Sequence, residues 1–305
     1  MSFRAGVVAV IGKPNVGKSS IVNKIVGEKV SVVSSKPQTT RKPAEGIANF
    51  PDGQIVFRDT AGIHQPKTTL GKATVDLAFQ ALHDADVVLW VVDVSQSPDD
   101  GDEKLASAIF AESDENVGKA QPKVVVALNK MDRLRAENVE LHYHEYEKLS
   151  RNAPMMYTNG MTGENTDKLA HLIIGALPEG PPYFEDPAMY TTQSLQSLAG
   201  ELIRESVLHH TKEEIPHAVA VLIEEWRDPV PGKDSTYINA TIFVERESQR
   251  PILLGHNGSM IKTIGTDARK EIERLIGGKV FLELRIKVGG EWRNNPRKLR
   301  ELGLV

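Results

Sequence analysis

The sequence predicts an α/β fold with a doubly wound, mostly parallel sheet, followed by a smaller α+β domain. The chain has 305 residues, more than one small hydrophobic core usually organises, so two domains are expected. A continuous apolar run at residues 7–11 passes into a glycine-rich loop and then into a helical pattern, as a buried parallel strand and its crossover helix would. Beyond residue 193 the pattern changes to helix, strand, strand, helix, strand.

Composition excludes several classes of protein. Hydrophobic residues make up 40% and charged residues 26%, which is ordinary for a globular protein, and no apolar run is long enough to span a bilayer. Without cysteine there can be no disulfides or thiolate metal sites. Residues 1–6 lack the pattern of a signal peptide, so a cytoplasmic location is expected. A formal net charge of −4 gives no general attraction for nucleic acid, so RNA binding must rest on local charge.

The first predicted strand leads into a loop suited to phosphate. The stretch from Gly12 to Ser19 fits the pattern G-x-x-x-x-G-K-[ST], with apolar residues at helical spacing over 21–26. In such a loop backbone N–H groups converge on phosphate oxygens, Lys18 supplies a cation for the β- and γ-phosphates, and Ser19 binds Mg²⁺. An ATPase, a kinase and a GTPase would use it equally well. We predict nucleotide contacts from Gly12, Lys13, Pro14, Asn15, Val16, Gly17, Lys18, Ser19 and Ser20.

A second motif indicates guanine. Asn129, Lys130 and Asp132 belong to an N-K-x-D sequence that follows the apolar run at 124–128, at the carboxyl end of a predicted strand. Ligands of open α/β sheets bind at that edge. A carboxylate there can accept hydrogen bonds from guanine N1–H and the exocyclic amine, a pair of donors that adenine lacks. Asp132 is therefore predicted to select guanine, and the alternative is a polar loop with a helix-capping aspartate.

A third motif lies between these two. The predicted strand at 55–57 leads into the sequence D-T-A-G, in which Asp59 can hold Mg²⁺ through water and the Gly62 N–H can sense a γ-phosphate. Asp59 follows the lysine of the first motif by 41 residues and precedes the asparagine of N-K-x-D by 70, which leaves room for strand and helix units of a doubly wound sheet. In this order the motifs resemble those of the small GTPase superfamily, and the resemblance implies a P-loop NTPase fold.

The segment at 37–41 narrows the resemblance. Its sequence P-Q-T-T-R, together with the asparagine of P-N-V-G-K-S, resembles the Era and TrmE-like branch of the superfamily. In that branch Asn15 is associated with a potassium ion, which we keep as an open expectation. Thr40 is our choice for binding Mg²⁺, and Thr39 is the competing choice. We expect the metal ligands to be Ser19, Thr40 and Asp59, and the groups that serve hydrolysis to be Lys18, Thr40 and Gly62.

Two positions depart from Ras-like GTPases. Ile63 stands where those proteins have the glutamine that orients the attacking water, and its side chain forms no hydrogen bonds. Era-type proteins share a hydrophobic residue here, so slow intrinsic turnover is expected. His64 is a candidate base, and a switch-loop histidine without that role is the competing interpretation. Asn159 and Gly160 replace the usual Ser-Ala of the fifth motif, and the Gly160 N–H is expected to reach guanine O6.

Prolines mark the boundary between the two predicted domains. The stretch 177–187 is rich in proline and cannot continue a helix, which is typical of a semi-rigid linker. We assign residues 1–180 to the nucleotide domain, 181–192 to the linker and 193–305 to the second domain.

The second domain resembles a type II KH domain. Its pattern predicts a helix over Gln193–His210, strands over 217–226, 237–244 and 279–288, and a second helix after the G-x-x-G sequence at 255–258. In a KH fold that loop clamps the backbone of about four single-stranded nucleotides. From residue 241 to 305 there are 13 Lys and Arg against 8 Asp and Glu, a net charge of +5. We predict RNA contacts from Gly255, His256, Asn257, Gly258, Lys262, Arg269 and Lys270.

Three other features carry weaker expectations. Trp292 suits either stacking on RNA or packing in the core. His142 and His144 lie two apart on a predicted helix and are assigned to the surface, because they cannot share a metal ion. Residues 99–103, D-D-G-D-E, lack the spacing of a calcium loop and are expected to be solvated.

The resemblance to Era-type ribosome-assembly GTPases extends over nearly the whole chain. It implies hydrolysis of GTP to GDP and phosphate with Mg²⁺, binding of the 3′ end of 16S ribosomal RNA, assistance to small-subunit assembly, and peripheral association of a monomer with the cytoplasmic face of the membrane. One alternative is a nucleotide-regulated RNA-binding module whose hydrolysis is incidental. The other is a TrmE-like tRNA-modification GTPase, although the N-terminal domain and C-terminal cysteine expected of it are missing here.

Overall fold

A computed structural model describes residues 2–34, 36, 39–41, 44–63, 66–115, 122–232 and 234–304, with the backbone alone at 112–115. The chain divides into two units. The first comprises residues 1–31, 37–66 and 72–192, and the second comprises 32–36, 67–71 and 193–305.

Apolar, β-branched runs form the sheet of the first unit. Its strands are β1 (Arg4–Ile11), β2 (Ala44–Phe50), β3 (Gly53–Asp59), β4 (Val87–Asp93), β5 (Lys123–Asn129) and β6 (Met155–Thr158). Among the described residues they form one sheet in the order β2-β3-β1-β4-β5-β6, in which β2 is antiparallel to β3 and the other neighbours are parallel. The predicted doubly wound, mostly parallel sheet is confirmed.

Helices cover both faces of this sheet. They are α1 (Lys18–Val26), α2 (Thr69–His83), α3 (Asp100–Glu115), α4 (Val139–Leu149) and α5 (Thr166–Ala176). Alternate residues of β1 face opposite cores: Val8 and Val10 pack with α1 and α5, whereas Ala9 and Ile11 pack with α2, α3 and α4. Burial on both faces explains why this strand is continuously apolar rather than alternating.

The motifs lie at one edge of the sheet. The glycine-rich loop follows β1, Asp59 ends β3, Asn129 ends β5, and Asn159 follows β6. Beside β1 the chain places β3 on one side and β4 on the other, which makes this edge a topological switch point, where ligands of open α/β sheets bind.

The connector predicted at 181–192 belongs to the first unit and is bonded to β2 and β3. Gln54 Oε1 accepts hydrogen bonds from the N–H groups of Tyr183, at 2.7 Å, and Phe184, at 3.1 Å. Asn49 donates from Nδ2 to the carbonyl oxygen of Pro187 at 3.1 Å. The connector therefore lies along β2 and β3 instead of standing free as a spacer.

The second unit has the predicted element order. Its main elements are α6 (Leu195–His210), β7 (Ala220–Arg227), β8 (Ser235–Val244), α9 (Ser259–Ile276) and β9 (Lys279–Val288), with short helices α7 (Ile215–Ala218), α8 (Arg250–Leu254) and α10 (Pro296–Glu301) between and after them. In the sheet β7-β8-β9, β7 is antiparallel and β9 parallel to β8. The first strand starts later than predicted because Pro216 belongs to α7, which occupies residues 215–218.

One face of the second sheet carries its core. Ile264, Ala268 and Ile272, spaced four apart on α9, are fully buried with residues of α6 and β8. Trp292 is also fully buried, and its Nε1 donates to the carbonyl oxygen of Ala218 at 2.9 Å. Trp292 is thus a core residue, which decides between its two interpretations. Within the part of the chain that the structure describes, no helix is long and apolar enough to cross a bilayer.

Candidate nucleotide-binding site

The loop at 12–19 is closely packed at its helical end. Gly17 has a φ of 100°, and a Cβ there would lie 2.2 Å from Nδ2 of Asn129, so no other residue fits. It caps α1, which begins at Lys18 and directs its N-terminus into the loop. That arrangement favours an anion, because the first N–H groups of a helix have no partners within the helix.

Lys18 is held inside this loop. Its side chain is buried, and Nζ donates to the carbonyl oxygens of Gly12 at 3.0 Å and Lys13 at 2.9 Å. Burial lowers the pKa of Lys18 to about 8, while the negative charge of Asp59 opposes that change. A cation desolvated in this way interacts strongly with a phosphate oxygen brought into the loop.

Lys13 joins the loop to α3. Its Nζ lies 2.8 Å from Oδ2 of Asp99 and 2.6 Å from Oδ2 of Asp102, whose side chain is only 1% exposed. Asp99 Oδ1 accepts hydrogen bonds from the N–H groups of Gly101 and Asp102 at the start of the helix. The expectation that residues 99–103 are a solvated loop was therefore wrong, because the lysine that pairs with them lies far away in sequence.

The side-chain oxygens of Ser19, Thr40 and Asp59 lie close together at the end of the phosphate loop. Asp59 is fully buried, its Oδ2 accepts a hydrogen bond from Oγ of Ser19 at 2.6 Å, and Oγ1 of Thr40 lies 3.2 Å from the same Oγ. Burial raises the pKa of Asp59, against the effects of the Ser19 hydrogen bond, the Lys18 charge and the Ser31 hydroxyl. Its other oxygen, Oδ1, has no hydrogen-bond partner among the described residues.

This oxygen set fits Mg²⁺, which prefers hard oxygen ligands and keeps several waters. No group of three His, Cys, Asp or Glu side chains within the described ranges could hold a metal ion. An ion at Ser19, Thr40 and Asp59 would therefore depend on hydroxyls, one carboxylate and the phosphates of a nucleotide.

The three side chains of the N-K-x-D motif differ in their surroundings: two are bonded to other parts of the protein and the aspartate is exposed. Asn129 is buried, donates from Nδ2 to the carbonyl oxygen of Val16 at 2.7 Å, and accepts at Oδ1 from the Gly160 N–H at 2.9 Å. Lys130 forms an ion pair of 2.6 Å with Asp93 at the end of β4. The side chain of Asp132 is 49% exposed and lies 3.9 Å from Arg133, so its carboxylate is accessible to a base.

The fifth motif differs from our expectation. The Gly160 N–H, predicted to reach guanine O6, donates to Asn129 Oδ1 in this structure. Asn159 shapes the turn instead, since its Oδ1 accepts from the N–H groups of Met161 at 2.9 Å and Thr162 at 3.2 Å. A Cβ at Gly160 would lie 3.0 Å from the side chain of Ile21, so the small residue lets this loop approach α1.

The D-T-A-G loop lies against the phosphate loop. A Cβ at Gly62 would lie 2.5 Å from the backbone nitrogen of Pro14, and Thr60 Oγ1 donates to the carbonyl oxygen of Val10 at 2.9 Å. Ile63 packs against the apolar cluster on the α2, α3 and α4 face of the sheet. The candidate base His64 lies outside the described residues, as do Pro37 and Gln38 of the P-Q-T-T-R segment.

The G-x-x-G loop of the second unit presents its two central residues. His256 and Asn257 are exposed, and Gly258 caps the 18-residue helix α9. Lys262, Arg269 and Lys270 are exposed along that helix. Lys270 also lies 3.6 Å from Asp267, so part of its charge is already compensated.

Sequence reasoning missed some of the residues near these sites. Ile252 and Leu254 of α8 lie directly before the G-x-x-G loop, and their side chains are 48% and 47% exposed. The sequence pattern that could have revealed this short apolar helix is a proline followed by three apolar residues. His142 was assigned to the surface but is buried, with Nδ1 2.8 Å from the carbonyl oxygen of Val94. That partner lies 48 residues away and leaves no local pattern.

An N-K-x-D motif with an exposed aspartate, at the same sheet edge as a phosphate loop, is typical of GTPases among P-loop NTPases. The second unit has the element order and loop of a KH domain. The class is therefore a P-loop GTPase joined to a KH domain.

Comparison with known proteins narrows this class. Residues 7–130 match the family described as 50S ribosome-binding GTPase, and residues 214–293 match the KH domain family. The GTPase Era of Alkaliphilus oremlandii is 43% identical over 303 residues, covering 99% of both chains. That of Thermosipho melanesiensis is 44% identical over 304 residues, covering 99% of this chain and 98% of its own. The chain belongs to the GTPase Era family.

Solved structures agree with this assignment. An Aquifex aeolicus Era variant bound to GDP and AlF4⁻ superposes with a TM-score of 0.91 at 36% identity, over 99% of this chain and 100% of that one. Era in complex with MgGDPNP and nucleotides 1506–1542 of 16S ribosomal RNA gives a TM-score of 0.92 at 36% identity, over 99% of each chain. The chain is thus a GTPase that binds guanine nucleotide.

Proposed function

We propose that this GTPase is a switch that binds the 3′ end of 16S ribosomal RNA and assists assembly of the small ribosomal subunit. The observation that carries the RNA part is the exposed G-x-x-G loop at the N-terminus of α9, in a chain that superposes along its length with an Era bound to that RNA. Monomeric state, a cytoplasmic location and peripheral association with the membrane are proposed from the family alone.

Hydrolysis in this proposal rests on positioning and charge. Lys18 binds the β- and γ-phosphates, Ser19, Thr40 and Asp59 hold Mg²⁺, and the Gly62 N–H meets the γ-phosphate. When bound, Mg²⁺ offsets the negative charge that the phosphate oxygens carry. The distances between Ser19, Thr40 and Asp59 favour Thr40 over Thr39 as the switch-segment ligand. The Ile63 side chain has no hydrogen-bonding atom and packs against an apolar cluster, so it cannot orient the attacking water, and slow intrinsic turnover is expected.

We assign the selection of guanine to Asp132. The pocket that holds the base is shaped by Asn129, Lys130, Asn159 and Gly160. Asn129 donates to the phosphate loop and accepts from the Gly160 N–H of the fifth motif. These two hydrogen bonds support this division, because they fix both loops relative to each other. In this scheme Asn159 and Gly160 act mainly through the turn that they form.

A potassium ion bound at Asn15 is proposed to assist the hydrolysis of GTP. This residue is exposed in the phosphate loop and has a left-handed backbone conformation with a φ of 63°. Single-turnover GTP hydrolysis in potassium should exceed that in sodium, and ribosomal RNA should stimulate it further. No stimulation by either would favour the alternative, an RNA-binding module with incidental hydrolysis.

RNA recognition combines phosphate and base contacts. Gly255 to Gly258 bind the sugar-phosphate backbone, and Lys262, Arg269 and Lys270 supply positive charge along α9. The exposed apolar side chains of Ile252 and Leu254 stand next to the loop and offer a surface for unstacked bases.

The RNA-binding role is tested by placing negative charge in the loop. His256→Asp with Asn257→Asp should lower affinity for a 16S 3′-end oligonucleotide by about tenfold or more, because both new carboxylates face phosphate. The affinity for GDP should not change. Asn152→Asp with His171→Asp is a matched control, since both residues are exposed and Asn152, like Asn257, has a left-handed backbone. Equal RNA affinity for both double variants and the wild type would contradict the proposal.

A further inference from the structure

A cavity of about 430 Å³ lies between α3 and α4 of the first unit. This volume falls within the range of about 300–1,000 Å³ that is usual for small-molecule sites. Its lining residues on the two helices are spaced three or four positions apart, so they form one face of each helix. They are Glu103, Ala106, Ser107 and Phe110 of α3 and Glu145, Lys148 and Leu149 of α4, with Pro98 before α3 and Arg151 after α4.

The buried part of this lining is apolar. Ala106 and Phe110 are buried, and Leu149 packs against the same apolar cluster to which they belong. The guanidinium carbon of Arg151 lies 4.7 Å from the centroid of the Phe110 ring, so a positive charge covers one face of that ring. A short hydrocarbon group in the cavity would remove the remaining apolar surface from water.

Glu145 supplies a carboxylate with an unsatisfied oxygen. Its Oε2 is shielded from solvent and has no hydrogen-bond partner among the residues that the structure describes. Shielding a carboxylate oxygen from water without giving it a donor is costly. A ligand that brings a hydrogen-bond donor to this carboxylate would therefore gain binding energy.

The surroundings of Glu145 favour a donor that is positively charged. The pKa of the neighbouring Tyr146 is raised first by burial and then by the charges of four carboxylates, Asp102 and Glu145 among them. The two cations of the lining, Lys148 and Arg151, are exposed, so water screens their charge. The shielded end of the cavity is thus electronegative.

We propose that the cavity between α3 and α4 binds a small organic ammonium ion. The ammonium group donates hydrogen bonds to the Glu145 carboxylate, and a short hydrocarbon body lies against Phe110 and Leu149. Hydrogen bonds between two ionised groups are about twice as strong as those between neutral ones. This site does not depend on the proposed GTPase switch or on RNA binding, so its failure would leave both in place.

Ligand-observed NMR on the full-length protein with GDP bound tests the site with two matched probes. Isopentylammonium and isopentanol share one branched hydrocarbon body and differ in the head group. At pH 7 the ammonium compound should bind about tenfold more tightly, because it alone forms a charge-assisted bond with Glu145. Saturation transfer should be strongest at its methyl groups, which face Phe110.

Two variants locate the binding. Glu145→Gln keeps the size of the side chain without its charge and should reduce the preference for the ammonium compound to about twofold or less. Ser107→Phe places a ring in the cavity from α3 and should abolish binding of both probes. Glu140→Gln is the matched control, because Glu140 is an exposed carboxylate of α4 that does not line the cavity, and it should bind like the wild type. All three variants should keep the wild-type affinity for GDP, which shows that they are folded.

Three results would overturn the inference. One is equal affinity of the wild type for the two probes. Another is binding that persists in both Glu145→Gln and Ser107→Phe, since the ammonium compound would then associate nonspecifically with the surface. The third is a preference that survives in Glu145→Gln but not in Ser107→Phe, which would mean that the cavity holds the compound without the bond to Glu145.

Discussion

Single residues of the N-K-x-D motif have separate tasks. Asn129 is buried and bonded to two loops, whereas the carboxylate of Asp132 is half exposed and next to Arg133. Mutation of Asn129 would disturb both phosphate and base binding, so it cannot report on base selection alone. Asp132 can, because its side chain is 49% exposed and its contact with Arg133, at 3.9 Å, is also exposed to solvent.

Asp132→Asn should reduce GDP affinity by at least about 100-fold, because two charge-assisted hydrogen bonds to guanine are lost. A xanthine nucleotide, which has a carbonyl in place of the amine, should bind the variant better than GDP does. Competition against a fluorescent nucleotide measures both. Arg133→Ala is the control and should change GDP affinity less than about twofold. Unchanged GDP affinity in Asp132→Asn would exclude this residue from base selection.

The ion pair of Lys130 with Asp93 makes part of the stability depend on pH. Burial acts to raise the pKa of Asp93, but hydrogen bonds from Lys130 and Ser95 outweigh it, so the pKa is lowered from the usual 3.8. A carboxyl whose pKa is lower in the folded state contributes stability above its unfolded value, and that contribution is lost as the pH falls through the folded value. The relevant window therefore lies below about pH 4.

Lys130→Met should lower the free energy of unfolding at pH 7 by about 1 kcal/mol, since the pair is only partly buried. The difference from the wild type should persist down to pH 5 and shrink toward the acid limit of the folded state. Urea unfolding without nucleotide measures it, with Lys130→Arg as the charge-conserving control. A difference that grows as the pH falls would show that the pair does not act through Asp93.

At the scale of elements, the first turn of α3 supports the phosphate loop. Asp99 and Asp102 both bind Lys13, but their surroundings differ: the side chain of Asp99 is 64% exposed and that of Asp102 is 1% exposed. A buried charge that loses its partner costs far more than an exposed one. The two aspartates thus form a natural pair for comparison.

Asp102→Asn should lower the free energy of unfolding by roughly 1–3 kcal/mol and weaken GDP binding, because Lys13 loses its buried counter-charge. Asp99→Asn should have a smaller effect on both, since asparagine still caps α3 and the lost pair is solvated. Urea unfolding and fluorescent GDP titration provide the measurements. Equal losses in the two variants would mean that burial of Asp102 does not matter to the loop.

Elements with strong periodicity were predictable from the sequence, and contacts distant in sequence were not. The strand predicted at 279–288 is β9, and the helix predicted over Gln193–His210 is α6 with its capping residue Ser194. The helices α7, α8 and α10 span two turns or fewer, too short to show a period. The bond from Gly160 to Asn129 and the pairs of Lys13 arise from the fold itself, so local patterns could not reveal them.

At the scale of the whole molecule, we propose that the bound guanine nucleotide controls whether the protein contacts one segment of ribosomal RNA. The order of motifs along the chain was sufficient to predict both domains, because each motif requires a strand before it or a helix after it. The partner is a separate matter: fold does not specify function, and the exposed G-x-x-G loop suits many single-stranded RNAs.

The most direct test is to crosslink bound RNA to the full-length protein in its GTP and GDP states and to sequence what is recovered. We expect crosslinks in the GTP state to concentrate at the 3′ end of 16S ribosomal RNA, to decrease in the GDP state, and to be lost in the variant with His256→Asp and Asn257→Asp. RNA recovered at random in both nucleotide states would contradict the ribosomal assignment, although the GTPase assignment would stand.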